Sequence, residues 1–404
     1  MKIIVSNPTK QHTNFLLQAF TLNRLDYTFF TMFWAKKTIL NRTLKKISTR
    51  VKNNFEKKED STLDESKIIF NYSLFFLSLV LRILPLITEA KSFIIDRLHD
   101  NWVRWKLKKE NFDLIIGSEK SSLKSFEYAK ANNKIVILDL AQVHVGFIET
   151  LRKKHSFFKE ITGSDFLFNK IKNIKLQEYE LADYILVISQ FAKKTLVDGG
   201  ISEEKIKVIN LGCNVERFAA KESYTYVKNL RLVFVGTVTK RKGVHLLTEL
   251  LLGDPNIKAE LVIVGPADDA IDLLSNNQKI RYLPFQNHFQ LVETLKSADV
   301  FVFPSYLDSW AMVVLEAMAC GLPVILTEQT GAAELVSPDC GFVIKADDLE
   351  MLKEKILFFE SNREKIKEMG LASRKKVENY SWENYYQKIV KLLSEISPNT
   401  HESA

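Results

Sequence analysis

The sequence predicts an α/β chain of two doubly wound, parallel-sheet domains facing each other across a cleft, and three observations predict it. Short apolar runs alternate with helix-length segments through the first half of the 404 residues, a polar stretch without periodicity interrupts at 211–229, and the alternation then restarts. The composition, 46% hydrophobic and 26% charged, is that of an ordinary folded protein with enough apolar material for two cores.

In the first half, IIVS at 3–6, DLIIG at 113–117, KIVILDL at 134–140 and DYILVIS at 183–189 read as strands, with helices expected over 121–131 and 190–198 between them. KVINLG at 207–212 closes this series, so the first Rossmann-like domain is expected over 1–210 and a linker over 211–229. The second domain, 230–380, restarts with RLVFVG at 231–236, followed by AELVIVG, KIRYL, DVFVFP, PVIL and GFVI. Residues 381–404 form a terminal amphipathic helix and tail, either closing on the second domain or crossing back to the first.

Charge is distributed unevenly. The formal net charge is +8, yet the first 110 residues carry 20 Lys and Arg against 10 Asp and Glu, so the remainder is close to neutral. The basic residues Lys36, Lys37, Arg42, Lys45, Lys46, Arg50, Lys52, Lys57 and Lys58 precede an apolar run, IIFNYSLFFLSLVLRILPLI, at 68–87. Asn71, Arg82 and Pro85 interrupt it, which argues against a bilayer span and leaves a core helix or a membrane-surface element. No nucleic-acid recognition motif accompanies the basic residues, so no nucleic-acid partner is expected. The apolar run at the N-terminus is too short for a signal peptide, and the three cysteines have no paired ligand spacing. A cytoplasmic protein is therefore expected, peripheral on the membrane face if the basic region meets anionic lipid, with no disulfide framework and no metal site.

The chemistry is concentrated in the second half. Positions 311–320, AMVVLEAMAC, hold nine apolar residues and one carboxylate, Glu316. A carboxylate in a buried helix needs a donor, and the donor is either another protein group or a ligand. VFVFPS before the helix reads as a strand, Asp308 or Ser309 as its cap, Gly321 as its left-handed stop, and Pro323 precedes another strand. In a strand-helix-strand unit of this kind, ligands bind beyond the carboxyl end of the strand, where Tyr306–Trp310 and the helix N-terminus lie. A second candidate is Gly236 followed by TVTKRKG and an apolar helix: amides, helix dipole and the basic side chains there suit an anion, although the motif is neither a dinucleotide fingerprint nor a Walker loop. Asp308 and Glu316 are eight residues apart, about 12 Å of rise on a fully helical path, a spacing that suits two points on an elongated ligand.

VGTVTKRKGVHLLTEL, SADVFVFPSYLDSWAMVVLEAMACGLPVI and TGAAELVSPDCGFVI together resemble glycosyltransferase family 4, retaining enzymes of the GT-B fold. The resemblance extends upstream through LADYILVISQFAKKTLVDGGISEEKIKVINLGCNVERF and ends in the helix opening SWENY, covering roughly 180–390. It implies a donor-binding second domain and an acceptor-binding first one. It implies that Glu316 binds the donor ribose, Asp308 lies near the donor sugar where glutamate is commoner, and Lys242 holds the donor diphosphate. Thr237 stands where many members have an arginine, a charge that Arg241 can supply, and His144 falls beside the reacting sugar. The implied donor contacts are Gly236, Thr237, Arg241, Lys242, Ser309, Trp310, Ala311, Met312 and Glu316, with Asp308, Glu316 and His144 as the catalytic set. Trp310 has a second reading as loop packing, and His144 one as a packing histidine.

The expected activity is thus hexosyl transfer with retention, from a nucleoside diphosphate sugar to a hydroxyl of a glycan or lipid-linked acceptor, in glycan, polysaccharide or glycolipid assembly. The sugar nucleotide is a co-substrate, and neither cofactor nor metal is expected. Two other classes fit the same residues: a nucleotide-sugar epimerase or hydrolase, and a non-catalytic nucleotide-sugar-binding subunit.

Overall fold

A computed structural model of the chain describes residues 1–9, 12–32, 63–224, 228–273 and 278–396. Contacts between Cα atoms divide it into two units: Met1–Val187 with Val197–Lys207 and Tyr386–Ala404, and Ile188–Leu196 with Val208–Tyr385.

The first unit holds β1 (Lys2–Ser6), β2 (Asp26–Thr31), β3 (Ile68–Phe70), β4 (Leu114–Ser118), β5 (Ile135–Leu140), β6 (Tyr184–Val187) and β7 (Ile206–Val208), the last ending at the unit boundary. Their order in the sheet is β3-β2-β1-β4-β5-β6-β7. Ile3, Ile4, Leu114, Ile115 and Val136 are wholly buried, as expected for central parallel strands with helices on both faces.

The second unit holds β8 (Arg231–Val235), β9 (Glu260–Val264), β10 (Ile280–Leu283), β11 (Val300–Phe303), β12 (Val324–Thr327) and β13 (Gly341–Ile344), ordered β10-β9-β8-β11-β12-β13. All registered pairs are parallel. Renumbered from its own start, this order is the doubly wound 3-2-1-4-5-6. The two parallel α/β units agree with the predicted fold class.

Two strands, β2 and β3, were not legible in the sequence. DYTFFT mixes an Asp and two Thr with its aromatic residues, so it reads neither as an apolar run nor as a clean alternation, and β3 has only three residues. The run at 68–87 is accordingly not one element. Its first three residues are β3, and Asn71, read as an interruption, caps the helix Tyr72–Ile83 by accepting from Ser73 N and Leu74 N at 3.1 and 3.3 Å. That helix keeps Leu74 and Leu81 inside but turns Phe76, Leu79, Val80 and Ile83 outward. No helix among the described residues is long and apolar enough to cross a membrane. The basic series at 36–58 lies outside the described residues.

The polar stretch after 211 is packed on the second unit. Phe218 is buried, Lys221 donates from Nζ to Ala298 O at 2.5 Å, and Tyr224 donates to Gly321 O at 2.9 Å.

Candidate functional site

In the second unit the chain order reverses between β8 and β11, which are hydrogen-bonded neighbours with Leu232 beside Val300 and Val233 beside Phe301. The loops leaving these two strands diverge at their carboxyl ends, the place where open α/β sheets bind ligands. Both sequence-predicted clusters lie on these loops.

After β8, the Gly236 amide donates to Val264 O and Val238 N donates to Pro266 O, each at 2.9 Å, so the Gly236 amide continues the sheet ladder and is not a free donor to an anion. Thr237 beside it is half-buried. Lys240–Lys242 then make one 3-10 turn, ended by Gly243 at φ 74°. A side chain there would place its Cβ 2.0 Å from Pro304 O, so glycine lets this turn lie directly against the β11 loop. The contact is polar as well: Tyr306 N donates to Arg241 O at 2.9 Å, Arg241 Nη1 donates to Leu307 O at 2.6 Å, and Lys242 Nζ pairs with the Asp308 carboxylate.

Burial opposes both charges of that pair. It lowers the Lys242 pKa below its ordinary value, only partly offset by Asp308. Burial alone would raise Asp308, but the Lys242 ammonium, its hydrogen bond and the Trp310 amide outweigh it and hold the carboxyl below the ordinary range. The ion pair was not foreseen from sequence, because the two residues are 66 positions apart and no local period links them.

The β11 loop is held on its far side too, where Gly331 N donates to Asp308 O at 2.7 Å and Ala332 N to Trp310 O at 3.0 Å. Asp308 Oδ1 accepts from Trp310 N at 3.1 Å, an Asx turn rather than the helix cap expected from sequence. Ser309 is half-buried, whereas the Trp310 indole is 2% exposed and packs at 6.1 Å from the Tyr380 ring. Such burial supports loop packing over stacking on a sugar. Ala311 then takes a left-handed conformation, φ 62° and ψ 73°, which costs a non-glycine residue about 1–3 kcal/mol. Because of this bend the helix begins only at Met312, and the path from Asp308 to Glu316 is not the continuous helix that the 12 Å spacing assumed.

Helix Met312–Ala319 has no side-chain cap, and the amides of Met312 and Val313 have no partner among the described residues. Met312, Val313 and Glu316 form its half-exposed face, with Val314, Leu315 and Ala317–Ala319 buried behind. Glu316 has no hydrogen-bond or ion-pair partner among the described residues, and burial pushes its pKa up to about 7. Of the two donors the sequence allowed for this carboxylate, a protein group is thus not seen.

A network missed in the sequence lies behind this face. Tyr306 OH donates to Asp347 Oδ1 at 2.5 Å and lies 3.2 Å from His245 Nε2, with the two rings stacked at 5.6 Å. It ties the helix Val244–Gly253, which follows β8, to the loops after β11 and β13. The left-handed Asp347, φ 68°, marks the joint, and nothing local in its sequence announces it.

His144 belongs to the first unit, at the end of the β5 loop. Its Nδ1 accepts from Gly146 N at 3.1 Å and caps helix Val145–Lys154, while the ring lies 5.3 Å from Tyr179 and fills the space beside Gly199. Burial lowers its pKa, so the ring is neutral at pH 7. The three cysteines are buried and unpaired, and among the described residues no group of three or more His, Cys, Asp or Glu is placed to hold a metal ion.

Two Rossmann-like units, one with basic and acidic side chains converging at its switch point, define the GT-B class of glycosyltransferase folds. Residues 216–376 match the family model described as Glycosyl transferases group 1, so the chain carries a domain of that type. Among relatives, it is 25% identical over 309 residues to the amylovoran biosynthesis glycosyltransferase AmsK of Erwinia amylovora, covering 70% of this chain and 76% of that protein. It is 28% identical over 242 residues to the uncharacterized glycosyltransferase MJ1607 of Methanocaldococcus jannaschii, covering 54% of this chain and 61% of that one, so this match spans less than two thirds of the relative. Among solved structures, Alr3699/HepE of Anabaena in complex with UDP superposes with a TM-score of 0.68 at 16% identity, covering 98% of this chain and all of that one. Sucrose-phosphate synthase of Thermosynechococcus elongatus gives 0.70 at 16% identity, over 98% and 99% of the two chains.

Proposed function

We propose that this protein is a glycosyltransferase that moves a hexosyl group from a nucleoside diphosphate sugar to a hydroxyl acceptor, with retention, in polysaccharide or glycolipid assembly. The observation that carries the proposal is Glu316: a carboxylate left without a protein donor on the half-exposed face of an otherwise apolar helix, which follows the β11 loop to which Lys242 and Arg241 are bonded. Two vicinal ribose hydroxyls supply the donors it lacks, and the Met312 and Val313 amides with Lys242 suit the diphosphate. The AmsK relative and the UDP complex of the Anabaena neighbour support the same reading.

In the proposed reaction the anomeric C–O bond to the diphosphate breaks as the acceptor oxygen bonds to that carbon on the same face. The acceptor proton passes to the departing phosphate oxygen. Lys242, Arg241 and the helix N-terminus carry the growing negative charge, and Asp308 orients the sugar once Lys242 turns to the phosphate.

The test is a thermal-shift panel of nucleoside diphosphates and their sugars, followed by transfer kinetics for Glu316→Gln with the donor that stabilises. Gln keeps one acceptor oxygen and loses one charge-assisted bond, which lowers kcat/KM by roughly 10- to 150-fold with the protein still folded. An unchanged kcat/KM would remove Glu316 from the donor site. Release of free sugar without any acceptor would identify a hydrolase instead, and loss of activity on chelation, restored by magnesium, would overturn the assignment of the leaving-group charge to protein cations.

A further inference from the structure

The first unit carries an apolar surface unrelated to the donor site. Helix Tyr72–Ile83 shows Phe76, Leu79, Val80 and Ile83 outward, a stripe at helical spacing, and Ile83 is 85% exposed. The turn that follows exposes Leu84, Leu86 and Ile87, and the next helix, Thr88–Leu107, continues with Ile94, Leu98 and Trp105 while burying Asp96, His99 and Asp100 on its other face. Ile87 and Leu167 both close on Gly163, so the neighbouring Ile161 and the 69% exposed Phe166 extend the same surface. A run of exposed apolar side chains on this scale is uncommon unless something covers it.

The charges around it are mostly basic. Arg104, Lys108 and Lys109 are exposed beside Trp105, with the Lys106 and Lys109 ammonium groups 5.1 and 4.2 Å from its ring, and Lys170 lies 4.4 Å from the Phe166 ring. Of the nearby acids, Glu89 pairs with Lys120, Glu110 with Lys2 and Asp165 with Arg152, while Glu160 beside Ile161 is exposed. Aromatic rings flanked by lysines, around an apolar wedge, match the boundary between headgroups and acyl chains. Helix Tyr72–Ile83 has 12 residues, about 18 Å of rise, too short to cross a bilayer and suited to lying in its surface.

We propose that this face, centred on Ile83, Leu86 and Ile87, docks on an anionic lipid bilayer, its apolar turn entering the acyl boundary and its basic end meeting the headgroups. The inference does not rest on the transferase reading, since its readout is binding alone.

The experiment is co-sedimentation of the full chain with vesicles of phosphatidylcholine alone or mixed with phosphatidylglycerol, at low and high salt. Wild type is expected to bind the mixed vesicles, and more weakly in high salt. Ile83→Asp with Leu86→Asp should weaken binding at least about tenfold at either salt, because the wedge no longer partitions. Arg104→Gln with Lys108→Gln and Lys109→Gln should weaken it about tenfold or more at low salt and flatten the salt dependence. All these positions are exposed, so both variants should keep the wild-type melting temperature within about 2 °C. No binding by wild type, or equal binding by the folded Ile83→Asp variant, overturns the proposal. So does a wild-type dimer that this variant dissociates, which would make the face a contact between copies.

Discussion

Glu316 is ionised at a cost in the free protein. Its folded pKa of about 7 lies above the ordinary 4.5, so its contribution to stability is fully present below pH 4.5 and is lost as pH rises through about 7. Glu316→Gln should therefore raise the melting temperature of the free protein at pH 8 and leave it nearly unchanged at pH 4.5. A ribose that bonds to the ionised carboxylate reverses this balance, so nucleotide affinity should increase as pH rises through about 7 and then level off. Calorimetric titrations from pH 5.5 to 8.5 check both, and a wild-type profile as flat as that of Glu316→Gln would count against a ribose contact. Asp308 makes an opposite prediction. It neutralises Lys242, so Asp308→Asn should bind a plain nucleoside diphosphate about as well as wild type or up to about tenfold more tightly, yet lose about 10²-fold or more in kcat. The sequence located both carboxylates but not their partners, because pairing across 66 residues is set by the fold.

At the level of the elements, two loops depend on backbone conformations that side chains resist. Gly243→Ala would force a Cβ against Pro304 O at a positive φ, and we expect it to destabilise the second unit by more than about 1 kcal/mol and to weaken nucleotide binding, as read by urea unfolding and thermal shift. Ala311→Gly, at φ 62°, should by contrast be tolerated or mildly stabilising. In the first unit, His144→Asn restores a good N-cap while removing the imidazole, whereas His144→Ala removes both. If the ring contacts the sugar, both variants lose transfer activity. If it is only a cap, Asn should retain activity and stability while Ala loses about 1 kcal/mol of stability. The strands around these loops were legible from apolar runs; β2 and β3 were not, since DYTFFT carries polar residues through it and IIF is only three residues long.

Across the whole molecule, the terminal helix Trp382–Ile396 is divided between the two units after Tyr385. It buries Tyr385, Ile389, Leu392, Leu393 and Ile396, and Tyr386 OH donates to Gln18 Oε1 at 2.6 Å in the first unit. Truncation before Trp382 should lower the melting temperature and yield aggregation-prone protein, because several apolar side chains lose their cover and the residues they covered are exposed. By itself the sequence determined two parallel α/β units, the two site loops, the odd carboxylate in an apolar helix and the amphipathic character of the last helix. These are properties of composition and period, written locally. Only the tertiary structure decided that Lys242 is neutralised by Asp308, that Glu316 is left without a protein donor, that Trp310 is packed inside and that the apolar helix after β3 faces outward. Each of these depends on which surfaces meet when distant segments pack, and no local pattern along the chain records that.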